Sequence, residues 1–141
     1  MIRMKRQIAQ RKVGEVMTKE AVTVTPDTDI RTLKALFEKH DYNNFPVVDG
    51  EDAVGVVSKL DLLNAFCPGL TYELEDVRRM HGRTVSDIMT ANIISVGPND
   101  PVSKAANMMV EYKLRSLLVT ENGRLKGIIS RNDIIRCLEI G

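Results

Sequence analysis

Apolar and polar positions along this chain switch between two rhythms, and they do so in the same order twice. Ala21-Val22-Thr23-Val24-Thr25 alternates with a period of two and stops at Pro26, which predicts a short strand. Thr28 can then cap a helix starting at Asp29, with Ile30, Leu33, Leu36 and Phe37 on one face. Further on, Asp100 as cap and Pro101 at the first helical position open a similar helix, with Val102, Ala105, Ala106 and Met109 apolar. Two apolar runs follow each helix, Phe45-Pro46-Val47-Val48 with Ala53–Val57 and Leu117–Thr120 with Leu125–Ile129. Asp49-Gly50 and Asn122-Gly123 lie between the runs, and such pairs tolerate the positive φ that a tight hairpin needs. A second helix is expected after each hairpin, over Lys59–Phe66 and Arg131–Glu139.

The order strand, helix, strand, strand, helix therefore occurs twice, and the residues themselves repeat at a constant offset of 72. Val13-Gly14-Glu15-Val16-Met17-Thr18 returns as Val85-Ser86-Asp87-Ile88-Met89-Thr90, and Gly55–Asp61 returns as Gly127–Asp133. No gap is needed between 13–63 and 85–135, so two similar units related by an approximate two-fold axis are expected. Each copy is near the size at which a lone core becomes marginal, which favours one two-part module over two free domains. The expected organisation is a basic leader or first helix over 1–12, a unit over 13–66, a linker over 67–84 and a second unit over 85–139. Within the linker, Thr71–His81 reads as an added helix, acidic at its start, basic at its end and stopped by Gly82.

Composition narrows the chemistry. The 141 residues are 43% hydrophobic and 28% charged, with a formal net charge of +1, so no global field points to nucleic acid or an anionic membrane. The local exception is Arg3, Lys5, Arg6, Arg11 and Lys12, a cluster read as a solvated leader because so few charges bind nucleic acid weakly. No stretch approaches the roughly 20 apolar residues that span a bilayer, and a cytoplasmic location is expected. Cys67 and Cys137 stand in apolar surroundings without metal-type spacing and read as buried free thiols. His40 and His81 share no motif with either cysteine, so no metal site is expected; both read as surface histidines. Ser58 and Ser130 have no partner histidine at a recognisable spacing, so no catalytic residue is assigned. Met108 and Met109 read as core or dimer surface.

The segment that can carry a function is Gly-apolar-apolar-Ser-x-x-Asp, at Gly55–Asp61 and Gly127–Asp133, where a strand passes into a helix. Such a junction offers free N–H groups and the positive end of a helix dipole to an anion. Ser58 and Ser130 can donate to a phosphate, Asp61 and Asp133 can accept from neighbouring hydroxyls, and Lys59 and Arg131 can add charge. The same residues also form a variant capping box that serves only its own helix.

The paired copies resemble tandem CBS domains, the Bateman module. The resemblance rests on Val16-Met17-Thr18 and Ile88-Met89-Thr90, Val-x-Pro before the first helix, Phe45–Asp49 and both Gly-apolar-apolar-Ser-x-x-Asp segments. It covers about 13–66 and 85–139 and implies an α/β fold, with two pseudo-two-fold-related β-α-β-β-α units packed as one module. It further implies clefts that take an adenine nucleotide (AMP, ADP or ATP) or S-adenosylmethionine as regulatory ligand, with no obligatory cofactor. Carried over, Asp133 and Ser130 serve one cleft, Asp61 and Ser58 the other. Ala21-Val22 and Ile93-Ile94 resemble residues that contact adenine, while Asn43-Asn44 and Arg115-Ser116 match positions that reach ribose or phosphate. Arg115 with Arg131 makes the Asp133 cleft the more basic one, and the stronger for phosphates.

The copies differ: Leu118 and Thr120 stand where the first copy has Pro46 and Val48. There is no Trp, and the three Phe and three Tyr suggest no stacking platform for a base. The resemblance points to a non-catalytic ligand sensor, a homodimer that reports to a regulated protein partner. The alternative is a dimerisation or protein-interaction module with vestigial clefts, in which both Ser–Asp pairs are helix caps only.

Overall fold

A helix in this chain begins where a short polar side chain can take the first unpartnered N–H groups, and a hairpin turns where positive φ is cheap. The computed structural model describes residues 2–4, 10–66 and 83–140. These residues divide into two compact units, a terminal unit drawn from Met1–Ala21 and Ile94–Gly141 and a middle unit drawn from Val22–Ile93.

In the middle unit, α2 (Ile30–Lys39) is capped by Asp29, whose Oδ1 accepts from the N–H of Thr32 at 2.7 Å. The expected cap, Thr28, instead closes the preceding turn, accepting from the N–H of Thr25 at 3.0 Å. β2 (Asn44–Asp49) and β3 (Asp52–Ser58) form an antiparallel hairpin that turns at Gly50, φ 65°, and α3 (Lys59–Phe66) follows as expected. The strand expected over Ala21–Thr25 shrinks to one parallel bridge, Val24 to Val47. Ile30, Leu33, Phe45, Val47 and Val57 are completely buried, and Phe45 alone removes enough apolar surface to stabilise by about 2–3 kcal/mol.

The terminal unit repeats the plan. β4 (Ser95–Val96) pairs in parallel with β5 (Ser116–Glu121), which pairs antiparallel with β6 (Arg124–Ser130) across a turn at Asn122 and Gly123, both at positive φ. The helix α4 (Val102–Tyr112) places Pro101 at its cap, one residue later than expected. Asp100 does not cap it; its Oδ2 instead accepts from the N–H of Gly97 at 2.7 Å. Val102, Ala105, Met109, Leu117, Val119, Ile129 and Ile134 make the core, with Met108 packed at its edge.

Two expectations at the ends are corrected. The helix predicted over Arg131–Glu139 stops as α5 (Arg131–Ile135), and Leu138–Ile140 becomes strand β7. β7 pairs antiparallel with β1 (Ile2–Met4), so part of the basic leader is strand rather than helix or free chain. The predicted helix Thr71–His81, and with it Cys67 and His81, lies outside the described residues. Cys137 is buried and free, whereas His40 is half-buried and stacks on Tyr42 at 5.4 Å.

The packing units exchange a segment relative to the sequence copies. α1 (Val13–Val16) and Met17-Thr18, from the first copy, pack in the terminal unit: Val13 N–H donates to Asp100 O at 2.8 Å and Gly14 N–H to Pro98 O at 2.8 Å. The second copy's Val85–Asp87 turn does the reverse in the middle unit, with Val85 N–H to Thr28 O at 2.8 Å and Ser86 N–H to Pro26 O at 3.0 Å. Val13 and Val85 are both completely buried. Thr18 exchanges backbone hydrogen bonds with Ile128 (2.8 and 3.0 Å), and Thr90 with Val56 (2.9 Å each way). Each Met-Thr segment therefore lies across the glycine of the other copy's β-strand.

Two carboxylates beside helix starts, the cap Asp29 and the turn-closing Asp100, set an acid response. The N–H of Thr32, with its hydroxyl, holds the Asp29 carboxyl below its usual 3.8. The N–H of Gly97 does the same for Asp100, opposed by burial and helped by Lys104. Because both folded values lie below the unfolded one, their stabilisation is complete above about pH 4 and lost as pH falls through the folded values. Melting temperature is expected to drop on that acid side, and less steeply in an Asp29→Asn, Asp100→Asn protein. An identical acid limb in the double variant, followed by circular dichroism, is the contrary result.

Candidate functional site

At the open end of each hairpin the chain passes from strand to helix, and the conserved plan of the two copies puts the same positions together. In the middle unit Asn44 pairs with Ser58, and Asn43 O accepts from the N–H of Lys59 at 2.9 Å, which fixes where α3 begins. Ser58 and Asp61 then close a reciprocal pair: Ser58 N–H donates to Asp61 Oδ2 at 2.8 Å, and Asp61 N–H to Ser58 Oγ at 3.0 Å. In the terminal unit Ser116 pairs with Ser130, and Arg115 O accepts from the N–H of Arg131 at 3.0 Å. The corresponding box joins Ser130 N–H to Asp133 Oδ2 at 2.9 Å and Asp133 N–H to Ser130 Oγ at 3.2 Å.

Both Ser–Asp pairs are thus capping boxes, which satisfy helix N–H groups that would otherwise lack a partner. Capping uses one oxygen of each carboxylate and an acceptor site of each hydroxyl. A carboxylate has a second oxygen, and a serine that accepts still has its own O–H to donate. The junctions therefore retain the donor and acceptor capacity that a hydroxylated, anionic ligand requires.

Asn43, Asn44, Ser58, Lys59 and Asp61 come together in the middle unit, and Arg115, Ser116, Ser130, Arg131 and Asp133 in the terminal unit. Ala21-Val22 and Ile93-Ile94 occupy a different kind of position. The chain passes from one unit to the other between Ala21 and Val22, and back between Ile93 and Ile94, at the same offset of 72. Val22 packs on the middle core, and Ile94 is 40% exposed.

The environments of the two aspartates differ. Asp133 is buried, 4% exposed, and its Oδ1 accepts from Arg136 Nη1 at 3.1 Å. Arg131 turns its Nε to Leu114 O at 2.8 Å, so part of its guanidinium is engaged at the end of the preceding turn. Asp61 is half-buried, and Lys59 beside it is exposed. Two features escaped the sequence reading. Arg136 was visible only as a charge three residues beyond Asp133, a spacing that puts both on one helix face. An aromatic group also forms next to Asn43, with Tyr42 and Phe45 at 5.7 Å and Phe37 and Phe45 at 4.7 Å, and Tyr42 is 40% exposed. Phe37 comes from α2 and Phe45 from β2, so sequence spacing alone did not join them.

Among the described residues no group of three or more His, Cys, Asp or Glu is placed to hold a metal ion, and no helix is long and apolar enough to cross a membrane.

Comparison with known proteins places this geometry in context. The CBS domain family model matches the chain twice, over residues 13–67 and 85–140. Inosine-5′-monophosphate dehydrogenase of Korarchaeum cryptofilum is 28% identical over 127 residues, covering 89% of this chain and 24% of that protein. The CBS domain-containing protein YhcV of Bacillus subtilis is 26% identical over 124 residues, covering 86% of this chain and 81% of its own length. Against three curated relatives of archaeal origin the chain spans only 24% to 39% of their length. Among solved structures, CBSX2 of Arabidopsis thaliana in complex with AMP is 30% identical with a TM-score of 0.76, over 89% of this chain and 93% of that one. The CBS domain pair of protein MJ0100, in complex with 5′-methylthioadenosine and S-adenosyl-L-methionine, is 25% identical with a TM-score of 0.73, over 89% and 98%.

Proposed function

The chain belongs to the CBS-domain family, and from that premise we propose that it is a regulatory module binding an adenosine-containing small molecule at Asp61 and Asp133 without chemical change to it. The observation that carries this reading is the matched pair of strand-to-helix junctions. In each, a capping box fixes the carboxylate by one oxygen and keeps the other outside the cap, where that of Asp133 accepts from Arg136. Two neighbouring ribose hydroxyls suit that second oxygen, and Ser58, Ser130, Lys59 and Arg131 supply donors for phosphate. The AMP, 5′-methylthioadenosine and S-adenosylmethionine bound by structural neighbours support the ligand class. AMP, ADP, ATP and S-adenosylmethionine are the candidates. A homodimer that signals to a protein partner would use the ligand as a switch only if the ligand favours one of two states.

Isothermal titration of AMP, ADP, ATP and S-adenosylmethionine into wild type, Asp61→Asn and Asp133→Asn tests the reading. Asparagine keeps an oxygen for the cap while removing the charge, so binding and folding effects separate. Saturable binding, weakened by about 2 kcal/mol in at least one variant with little change in melting, is the expected result. No heat from any of the four ligands, with the variants altered only in melting, would instead make the aspartates caps and leave the module to act through an interaction surface.

A further inference from the structure

Asp133 is the one buried charged side chain among the described residues, and both of its oxygens are engaged. Oδ2 takes the N–H of Ser130, and Oδ1 takes Arg136 Nη1. The Arg136 side chain is 75% exposed whereas that of Asp133 is 5% exposed, so the pair joins a solvent-facing guanidinium to a buried carboxylate. Arg136 is the C-cap residue of α5, and its guanidinium reaches back three positions to Asp133 in the first turn. The equivalent position in the other copy, at the offset of 72, is Asn64, which is exposed and uncharged. The half-buried Asp61 has no such cation three residues on. Two capping boxes of the same geometry thus carry different outer partners.

The difference has a chemical consequence. Two neighbouring hydroxyls that both bond Asp133 Oδ1 fill its two acceptor positions and displace the guanidinium, which then loses its acceptor. A ligand with a phosphate returns an acceptor of the bidentate kind that arginine holds best. A ligand with the same hydroxyls and no anion returns nothing. We propose that Arg136 is a selectivity residue, making engagement of Asp133 by paired hydroxyls conditional on an anionic group to which the displaced guanidinium turns. Asp61, with Asn64 at the matching place, imposes no such condition. This rests on the reading of Asp133 as a ligand-binding group, and it assigns phosphorylated adenosine compounds to that site over uncharged ones.

The test compares AMP with adenosine by isothermal titration in an Asp61→Asn protein, so that only the Asp133 site is read. Adding Arg136→Gln is expected to improve adenosine binding about fivefold and to weaken AMP by a similar factor, collapsing the preference; the size corresponds to one partly exposed charge-assisted hydrogen bond. Asn64→Arg in an Asp133→Asn protein should create a preference for AMP at the Asp61 site. An AMP-to-adenosine ratio unmoved by Arg136→Gln, while Asp133→Asn still weakens AMP binding at that site, overturns the selectivity role and leaves Arg136 a structural partner. If S-adenosylmethionine binds the wild-type protein and AMP does not, the selectivity role falls alone; if none of AMP, ADP, ATP and S-adenosylmethionine binds, the ligand-binding reading itself falls, which distinguishes the two failures. Arg136 is exposed, so the glutamine variant is expected to fold.

Discussion

Replacing Gly127 with alanine is expected to destabilise the terminal unit by about 3 kcal/mol, one of the largest losses available from a single methyl group here. A Cβ at Gly127 would stand 2.5 Å from Thr18 O and 2.9 Å from Met17 Sδ. The sulfur can move, but the carbonyl is backbone and belongs to the residue that exchanges two hydrogen bonds with Ile128. Relief therefore means pushing the crossing segment off the strand. Gly55→Ala should act in the same way in the middle unit, where Thr90 O would lie 2.8 Å away. Gly123→Ala is the control: its Cβ meets nothing within 4 Å, so only the φ of 80° costs, at about 1 kcal/mol. Thermal unfolding should rank the variants in that order, with Gly127→Ala down by about 10 °C. A Gly127→Ala protein melting with Gly123→Ala would mean that Thr18 does not lie across Ile128 in solution.

The second large effect comes from placing a charge at the exchanged valines. Val13→Asp puts a carboxylate at a completely buried position of the terminal core, and Val85→Asp does so in the middle core. An unpaired buried carboxylate must be desolvated or protonated, and a loss of about 4 kcal/mol is expected for each. The informative readout is where the loss falls. In hydrogen exchange, Val13→Asp should expose the amides of Ser116–Ser130 first and leave Asn44–Ser58 the better protected hairpin; Val85→Asp should do the opposite. If each substitution instead loosens the hairpin of its own sequence copy, the segments pack at home and the exchange is absent.

The exchange gives one cause to two motifs that read as separate along the chain. Val-Met-Thr returns as Ile-Met-Thr because the threonine must pair with a strand in extended form, and Gly-apolar-apolar-Ser recurs because the strand's glycine must admit that segment. The same glycine-led strand then delivers the Ser and Asp of the capping box to the helix start. Stability and the candidate site are thus built on adjoining residues of one seven-residue segment.

What was legible in advance was local. The two hairpins, their turns at Gly50 and Asn122-Gly123, the helix Lys59–Phe66 and the Ser–Asp reciprocal pairs all depend on residues within a few positions of each other. Caps moved by one residue, from Thr28 to Asp29 and from Asp100 to Pro101, because neighbouring polar groups compete for the same N–H and turn bonds. The early end of α5 was not legible, since Ile135–Ile140 carries no Gly or Pro and its strand pairing is with the far end of the chain.

By itself the amino-acid sequence determined that there are two copies, in which order each forms its elements, and which serine and aspartate sit at each strand-to-helix junction. Only the tertiary structure decided that Val13–Thr18 docks on the second copy and Val85–Thr90 on the first. Because the copies present nearly the same surfaces to the same motif, pattern cannot choose between a segment's own copy and the other one. The tertiary structure likewise buried Asp133, paired with Arg136, while leaving Asp61 half-buried, because exposure depends on how side chains pack and not on spacing alone.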